Sequence, residues 1–219
     1  MNSMLIYRDE LQGFLKSKAF LVLIVGLPVL VGGLRLAQPD LEGMPFFIFT
    51  AILIASISGT LGSVLLSTAI TSERSRHVYE LFLIRPVKRS SLLLGKYFAA
   101  LSMLLFTAIV TLVAGLAVDA LAGRAGAGIV TAGLEPAVLS LAGIAVACSV
   151  GTLLGVLVDS VAISAILSVY LGNQLSAIAI LPSVLAPDLP AIAIAVAVGV
   201  IVPTVLLAVA IRVFARKTL

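Results

Sequence analysis

Six runs of apolar residues, each about the length of a membrane-spanning helix, dominate this chain: 19–37, 46–70, 92–118, 136–158, 161–180 and 191–213. A helix needs roughly 20 consecutive apolar residues to cross the ~30 Å hydrocarbon layer of a bilayer. Only 11% of the 219 residues are charged and 61% are hydrophobic, whereas a soluble domain carries roughly 25% charged residues. So little charge cannot cover a water-facing surface, and lipid must be the solvent for most of the chain. The expected fold is therefore an all-α integral membrane protein, with six transmembrane helices in residues 19–219. The longest polar stretch, 71–91, is too short to fold alone.

Residues 1–18 differ from the rest. Met4, Tyr7, Leu11, Phe14 and Leu15 recur at helical spacing, with Arg8, Asp9, Gln12 and Lys16 elsewhere. That pattern predicts an amphipathic helix in the headgroup plane, or alternatively a helical extension of the first span. The first apolar run is expected to be a retained helix rather than a signal peptide, because its charged leader is long and Leu36-Ala37-Gln38 is a poor cleavage site. Pro28, near Gly26, Gly32 and Gly33, predicts a kink in it. Ser90 or Ser91 is the expected N-cap of the third span. Residues 119–135 are expected to be a Gly- and Ala-rich connection, Pro136 to open the fourth span, and Asp159-Ser160 to form a turn that caps the fifth. Pro182, Pro187 and Pro190 mark the next connection, and residues 176–190 are either a plain loop or a re-entrant one.

The basic residues give a direction. With six spans, one side holds Arg8, Lys16, Lys18, Arg74, Arg76, Arg85, Lys88, Arg89, Lys96, Arg212, Arg216 and Lys217, and the other only Arg35 and Arg124. The acids divide evenly. An asymmetry confined to Lys and Arg is the form the positive-inside rule takes, so both termini and the 71–91 loop are expected in the cytoplasm of a prokaryotic cell. The net charge of +4 then reports cytoplasmic loops and anionic lipid headgroups, not nucleic acid. Cys148 is the single cysteine and cannot form an internal disulfide.

Several chemistries lack their residues. Gly95-Lys96 is followed by Tyr97, and Ser90 stands where a nucleotide-binding loop needs its first glycine. Gly126-Ala127-Gly128 lacks a third glycine at position 131. Ser56-Ile57-Ser58-Gly59 is similar to an intramembrane protease motif, but the only histidine, His77, lies in the polar loop. One histidine and one cysteine, far apart in sequence, do not supply the ligand cluster of a dedicated transition-metal site. The intramembrane acid clusters of a proton pump are missing too. The chain is thus expected to be no enzyme and to bind no cofactor.

The polar loop carries more information than its charge. Val78, Leu81 and Phe82 share a helical face, and Pro86 disfavours helix at Arg85, so a short helix is predicted across the end of the second span. These residues resemble the loop between the first two core hairpins of ABC-2-type transporter permeases, the membrane subunits of one class of ABC exporter. The family's glutamate-basic start, its Glu-Leu-Leu-type helix, its Pro-Val-x-Arg turn and its Gly-Lys pair fall on Glu73-Arg74, Glu80-Leu81-Phe82, Pro86-Val87-Lys88-Arg89 and Gly95-Lys96. Where the family often has Gly-Thr, this chain has His77-Val78. The resemblance implies a coupling helix, with Glu73, Arg74, Tyr79, Glu80, Phe82 and Arg85 engaging a separate ATPase subunit. That subunit would bind ATP-Mg, and the permease would pair with a second copy of itself or a related chain.

Inside the membrane, Ser56, Thr60, Ser63, Ser67 and Thr71 form one face of the second span. The stripe suits helix packing first and a solute-facing surface second. Gly143, Ala147, Gly151 and Gly155, each four apart, let helices approach closely. Asn173-Gln174 either bonds across helices or lines a path. Arg35 and Asp119, near the outer ends, are expected to snorkel to the interface. The primary reading is a permease exporting a hydrophobic or amphipathic solute. The alternatives are a haem-exporter-type permease of cytochrome c maturation, though no intramembrane histidine or tryptophan points to haem, and a non-transporting assembly or anchoring subunit.

Overall fold

A computed structural model describes residues 3–37, 44–76, 89–123, 126–179 and 190–216. These are helical, with no strand among them: α1 (Ser3–Leu15), α2 (Lys18–Ala37), α3 (Phe46–Ser75), α4 (Arg89–Leu121), α5 (Ala127–Leu157), α6 (Val161–Ser176), a 3₁₀ turn (Ala177–Ala179) and α7 (Ala191–Arg216). Four of them, α3, α4, α5 and α7, are long and apolar enough to cross a membrane, and α1 with α2 makes a fifth if that bent pair is one span. The protein is a helical membrane protein. Its exterior carries large exposed apolar residues, among them Phe106 and Val113 on α4 and Val200 and Val205 on α7, as a lipid-facing surface requires.

The helix α5 is central. In its most apolar stretch 78% is buried, against 17% for α7, and α3, α4, α6 and α7 all pack on it. Small residues make this possible. A Cβ added at Gly151 would fall 2.7 Å from the Ser63 Cα, and one at Gly155 would fall 2.8 Å from the Ile70 Cβ. The α3 and α5 backbones are therefore close enough to exclude any larger side chain there, as the four-residue glycine spacing anticipates.

The sharp bend near the N-terminus lies at Ser17. Ile6–Leu15 and Phe20–Leu34 meet at 57°. The Ser17 Oγ donates to the Phe14 carbonyl (2.7 Å) and accepts from the Phe20 N–H (3.2 Å), ending one helix and capping the next. Pro28 sits within the continuous helix α2.

Several boundaries differ from the sequence expectation. The helix α5 begins at Ala127, so Pro136 lies inside it and does not open it. The apolar residues Ile129 and Val130 extend the helix backwards, and the extended Gly126 starts it with its carbonyl accepting from Ile129 (3.0 Å). Ser90 and Ser91 lie inside the first turn of α4, not at its N-cap. Gly123, at φ 69°, ends α4 in the left-handed conformation that glycine adopts at low cost. Ser160 stands at the N-cap of α6 without a side-chain capping bond.

Candidate functional site

Adjacent residues at the end of α3 point to different neighbours. Thr71, buried, brings its hydroxyl to the Gly155 carbonyl (3.3 Å) and to the Ser164 Oγ (3.1 Å). Two residues on, Glu73 accepts from the Lys96 Nζ at 2.6 Å, and the same ammonium lies 2.8 Å from the Glu10 Oε1. Lys96 is only 5% exposed. An ammonium in such a place is costly unless paired and hydrogen-bonded, and two carboxylates from two other helices supply the pairing. Arg74 turns the other way. Its guanidinium donates to the carbonyls of Gly155 (3.3 Å) and Val156 and pairs with Asp159. Gly155 and Val156 belong to the last turn of α5, where unpaired carbonyls and the negative end of the helix dipole favour a cation.

Glu73 and Arg74 were expected on a separate short helix. They instead form the final turn of α3, which continues to Ser75. Apolar patterning ends near Ile70, but the helix runs on because Thr71, Glu73 and Arg74 each find a polar partner. Tyr79, Glu80, Phe82 and Arg85, the rest of the expected coupling surface, lie outside the described residues.

The Gly-Lys pair of α4 acquires a structural meaning. A Cβ at Gly95 would fall 2.8 Å from the Ile6 Cγ2 of α1, so glycine lets α1 rest against α4. Lys96 then ties α1 through Glu10. About two turns further along α4, the Tyr7 hydroxyl meets the Ser102 Oγ at 3.0 Å.

The α3 stripe divides. Ser63 is buried, its hydroxyl within reach of the Gly59 carbonyl (2.6 Å) and, across the interface, of the Ser168 carbonyl of α6 (2.8 Å). Ser67 is also buried and Thr60 is half-buried, each bonded to its own helix. Ser56 is exposed, its hydroxyl bonded back to the Ile52 carbonyl (3.0 Å). Asn173 and Gln174 of α6 are exposed as well. The inner stripe thus packs α3 on α6, while Ser56, Asn173 and Gln174 face outward. Facing Ser63 across that interface, Ser168 carries a fully buried hydroxyl with no hydrogen-bond partner among the described residues.

Asp119 corrects an expectation. It does not snorkel: it is 1% exposed. Its Oδ1 accepts from the Phe46 N–H (2.9 Å) and its Oδ2 from the Phe47 N–H (2.8 Å). It caps the first turn of α3 from the end of α4, because otherwise those donors would be left without partners. Neither this contact nor Lys96 as a hub was read from the sequence. The available signal was the placement of single charges in apolar runs, where ionisable residues usually have partners.

Among the described residues, no group of three or more His, Cys, Asp or Glu side chains is arranged to hold a metal ion. A family model described as a protein of unknown function, DUF2705, matches residues 26–185. A search of curated proteins returned no match.

Proposed function

We propose that this chain, which belongs to the DUF2705 family of proteins of unknown function, is the membrane permease subunit of an ATP-driven ABC-2-type transporter. The observation that carries the reading is the double fastening of α3 where the charged loop begins. Glu73 ties this end to α4 and α1 through Lys96, and Arg74 ties it to the end of α5 and the turn before α6. A loop rooted in this way passes a push on to the spans, whereas a loop rooted in a frayed end would absorb it. The permease crosses the membrane six times, through α2 to α7, with both termini and the segment between α3 and α4 in the prokaryotic cytoplasm. A separate ATPase docks on the loop residues Tyr79, Glu80, Phe82 and Arg85 and supplies ATP-Mg chemistry, while Glu73 and Arg74 hold the root in place.

The outward-facing Ser56, Asn173 and Gln174 favour a dimer. Amides cost free energy against hydrocarbon, and a second copy or a water-lined solute path between copies would solvate them. The solute is hydrophobic or amphipathic and moves outward. Affinity purification in mild detergent tests this reading: recovery of an ATPase bearing a nucleotide-binding loop supports it, and a pure oligomer of this chain alone contradicts it. One observation favours a second reading, a non-transporting assembly or anchoring subunit: the inner stripe residues Ser63, Ser67 and Thr71 are buried within the helix packing. ATP-dependent solute movement in proteoliposomes separates the two.

A further inference from the structure

Beside α1, an open groove of about 420 Å³ runs along α4, lined by Met4, Tyr7, Leu94, Gly95, Phe98 and Ser102. Its volume falls in the ~300–1,000 Å³ range of small-molecule clefts. We propose that this groove holds one phospholipid, with an acyl chain against Met4, Leu94 and Phe98 and an anionic headgroup phosphate at Arg8.

The groove's own chemistry selects hydrocarbon. Ser102 donates its one hydroxyl proton to the Phe98 carbonyl (2.7 Å), so at 3.0 Å Tyr7 is the donor to the Ser102 Oγ. Both side-chain donors of the lining are thereby used, and the remaining wall is apolar. The surroundings select lipid over another protein. Phe98, Phe106, Ile109 and Val113 are all exposed, and spacings of eight, three and four place them on one face of α4. The groove is therefore the end of a lipid-facing stripe, and a chain lying on that stripe continues into it.

The charge selects the headgroup. Arg8 is exposed and follows Met4 by four residues, on the same face of α1. The acids Asp9 and Glu10 line a different pocket, on the other flank of α1 with Glu73 and Lys96. A cation thus stands on the groove side and carboxylates on the far side, which suits an anionic lipid. This inference rests on membrane placement alone and not on the transport reading.

The test uses the full chain in vesicles of phosphatidylcholine doped with phosphatidylglycerol carrying a diazirine in its acyl chain, with adducts mapped by mass spectrometry. Labelling is expected to concentrate severalfold on Met4, Leu94 and Phe98 relative to Phe106 through Val113. Arg8→Gln should lower groove labelling about fivefold, the effect of one basic residue at an anionic surface. Met4→Trp, at an exposed position, should fill the rim and remove most of it. Labelling spread evenly along α4, groove labelling unchanged by Arg8→Gln or equal with a phosphatidylcholine probe, or cross-links joining α1 to a second protein chain would overturn the proposal.

Discussion

The Lys96 ammonium stands 2.6 Å from a Glu73 carboxylate oxygen, joining the last turn of α3 to the second turn of α4. Glu10 approaches the same nitrogen at 2.8 Å, so one buried cation organises three helices. Both carboxylates keep some contact with water, at 24% and 30% exposed, whereas the lysine side chain is 7% exposed. Removing the lysine and removing one acid therefore have different consequences.

Glu10→Gln leaves Lys96 with Glu73 and should cost little, about 1 kcal/mol. Lys96→Met leaves two carboxylates facing each other beside apolar helices, and should cost about 3 kcal/mol, the low end for breaking a buried pair. Adding Glu73→Gln to Lys96→Met should recover part of that loss. Thermal unfolding in detergent measures these three together with Glu73→Gln alone, and a simple sum of the Lys96→Met and Glu73→Gln effects in the double variant would refute a shared charge hub.

Arg74 gives a second contrast. Asp159 is 79% exposed, so Asp159→Asn should cost no more than ~1 kcal/mol. Arg74→Ala also strips the α5 carbonyls of their donor, and about 2–3 kcal/mol is expected. Arg74→Lys should recover only part, because one ammonium cannot reach both carbonyls and Asp159 together. Equal costs for Asp159→Asn and Arg74→Ala would place the whole effect in the exposed ion pair.

Asp119→Ala should lower stability by about 1–3 kcal/mol through the loss of a cap whose two oxygens serve two backbone donors. Asp119→Asn should cost less, since its amide oxygen still serves one donor. Hydrogen exchange at Phe46 and Phe47 is the local readout, and unchanged protection there in Asp119→Ala would contradict the cap.

Packing between α3, α5 and α6 is tested by two small changes, Gly151→Ala and Ser168→Ala, with Gly128→Ala as the control. Gly151→Ala should be severely destabilising, since its Cβ meets the Ser63 backbone, while Gly128→Ala, with open space around it, should be neutral. Ser168→Ala removes a buried hydroxyl that lacks a partner, and should be neutral or stabilising by about 1 kcal/mol. Destabilisation by Ser168→Ala would show that the hydroxyl is satisfied after all.

The apolar runs were legible because bilayer solvation is written residue by residue. Hence α2 begins at Lys18 and α7 at Ala191, each within one residue of the expected starts. Helix ends were less legible. Hydropathy reports where a segment prefers lipid, yet α3 runs to Ser75 on polar contacts with partners far along the chain, and α5 starts at Ala127 on helix-compatible residues outside the predicted span. The glycine spacing of α5 announced close packing but not its partner. Lys96 was read as half of the Gly-Lys pair and Asp119 as a residue near an outer end, and tertiary placement alone reveals that one is a hub and the other a cap. Within the candidate site, the resemblance assigned Glu73 and Arg74 to an ATPase-coupling surface, and their contacts in the structure run inward, to other helices of this chain.

The central claim is that the loop after α3 docks on an ATPase while its root is held by Glu73 and Arg74. The most direct measurement places single photo-reactive residues at Tyr79 and Glu80, and in parallel at Met4, in cells that express the chain with its neighbouring genes. Cross-links from positions 79 and 80 to one ATPase, with none from position 4, are the expected result. Cross-links from position 4 alone, or none to any ATPase from the loop in a correctly inserted protein, would contradict the account.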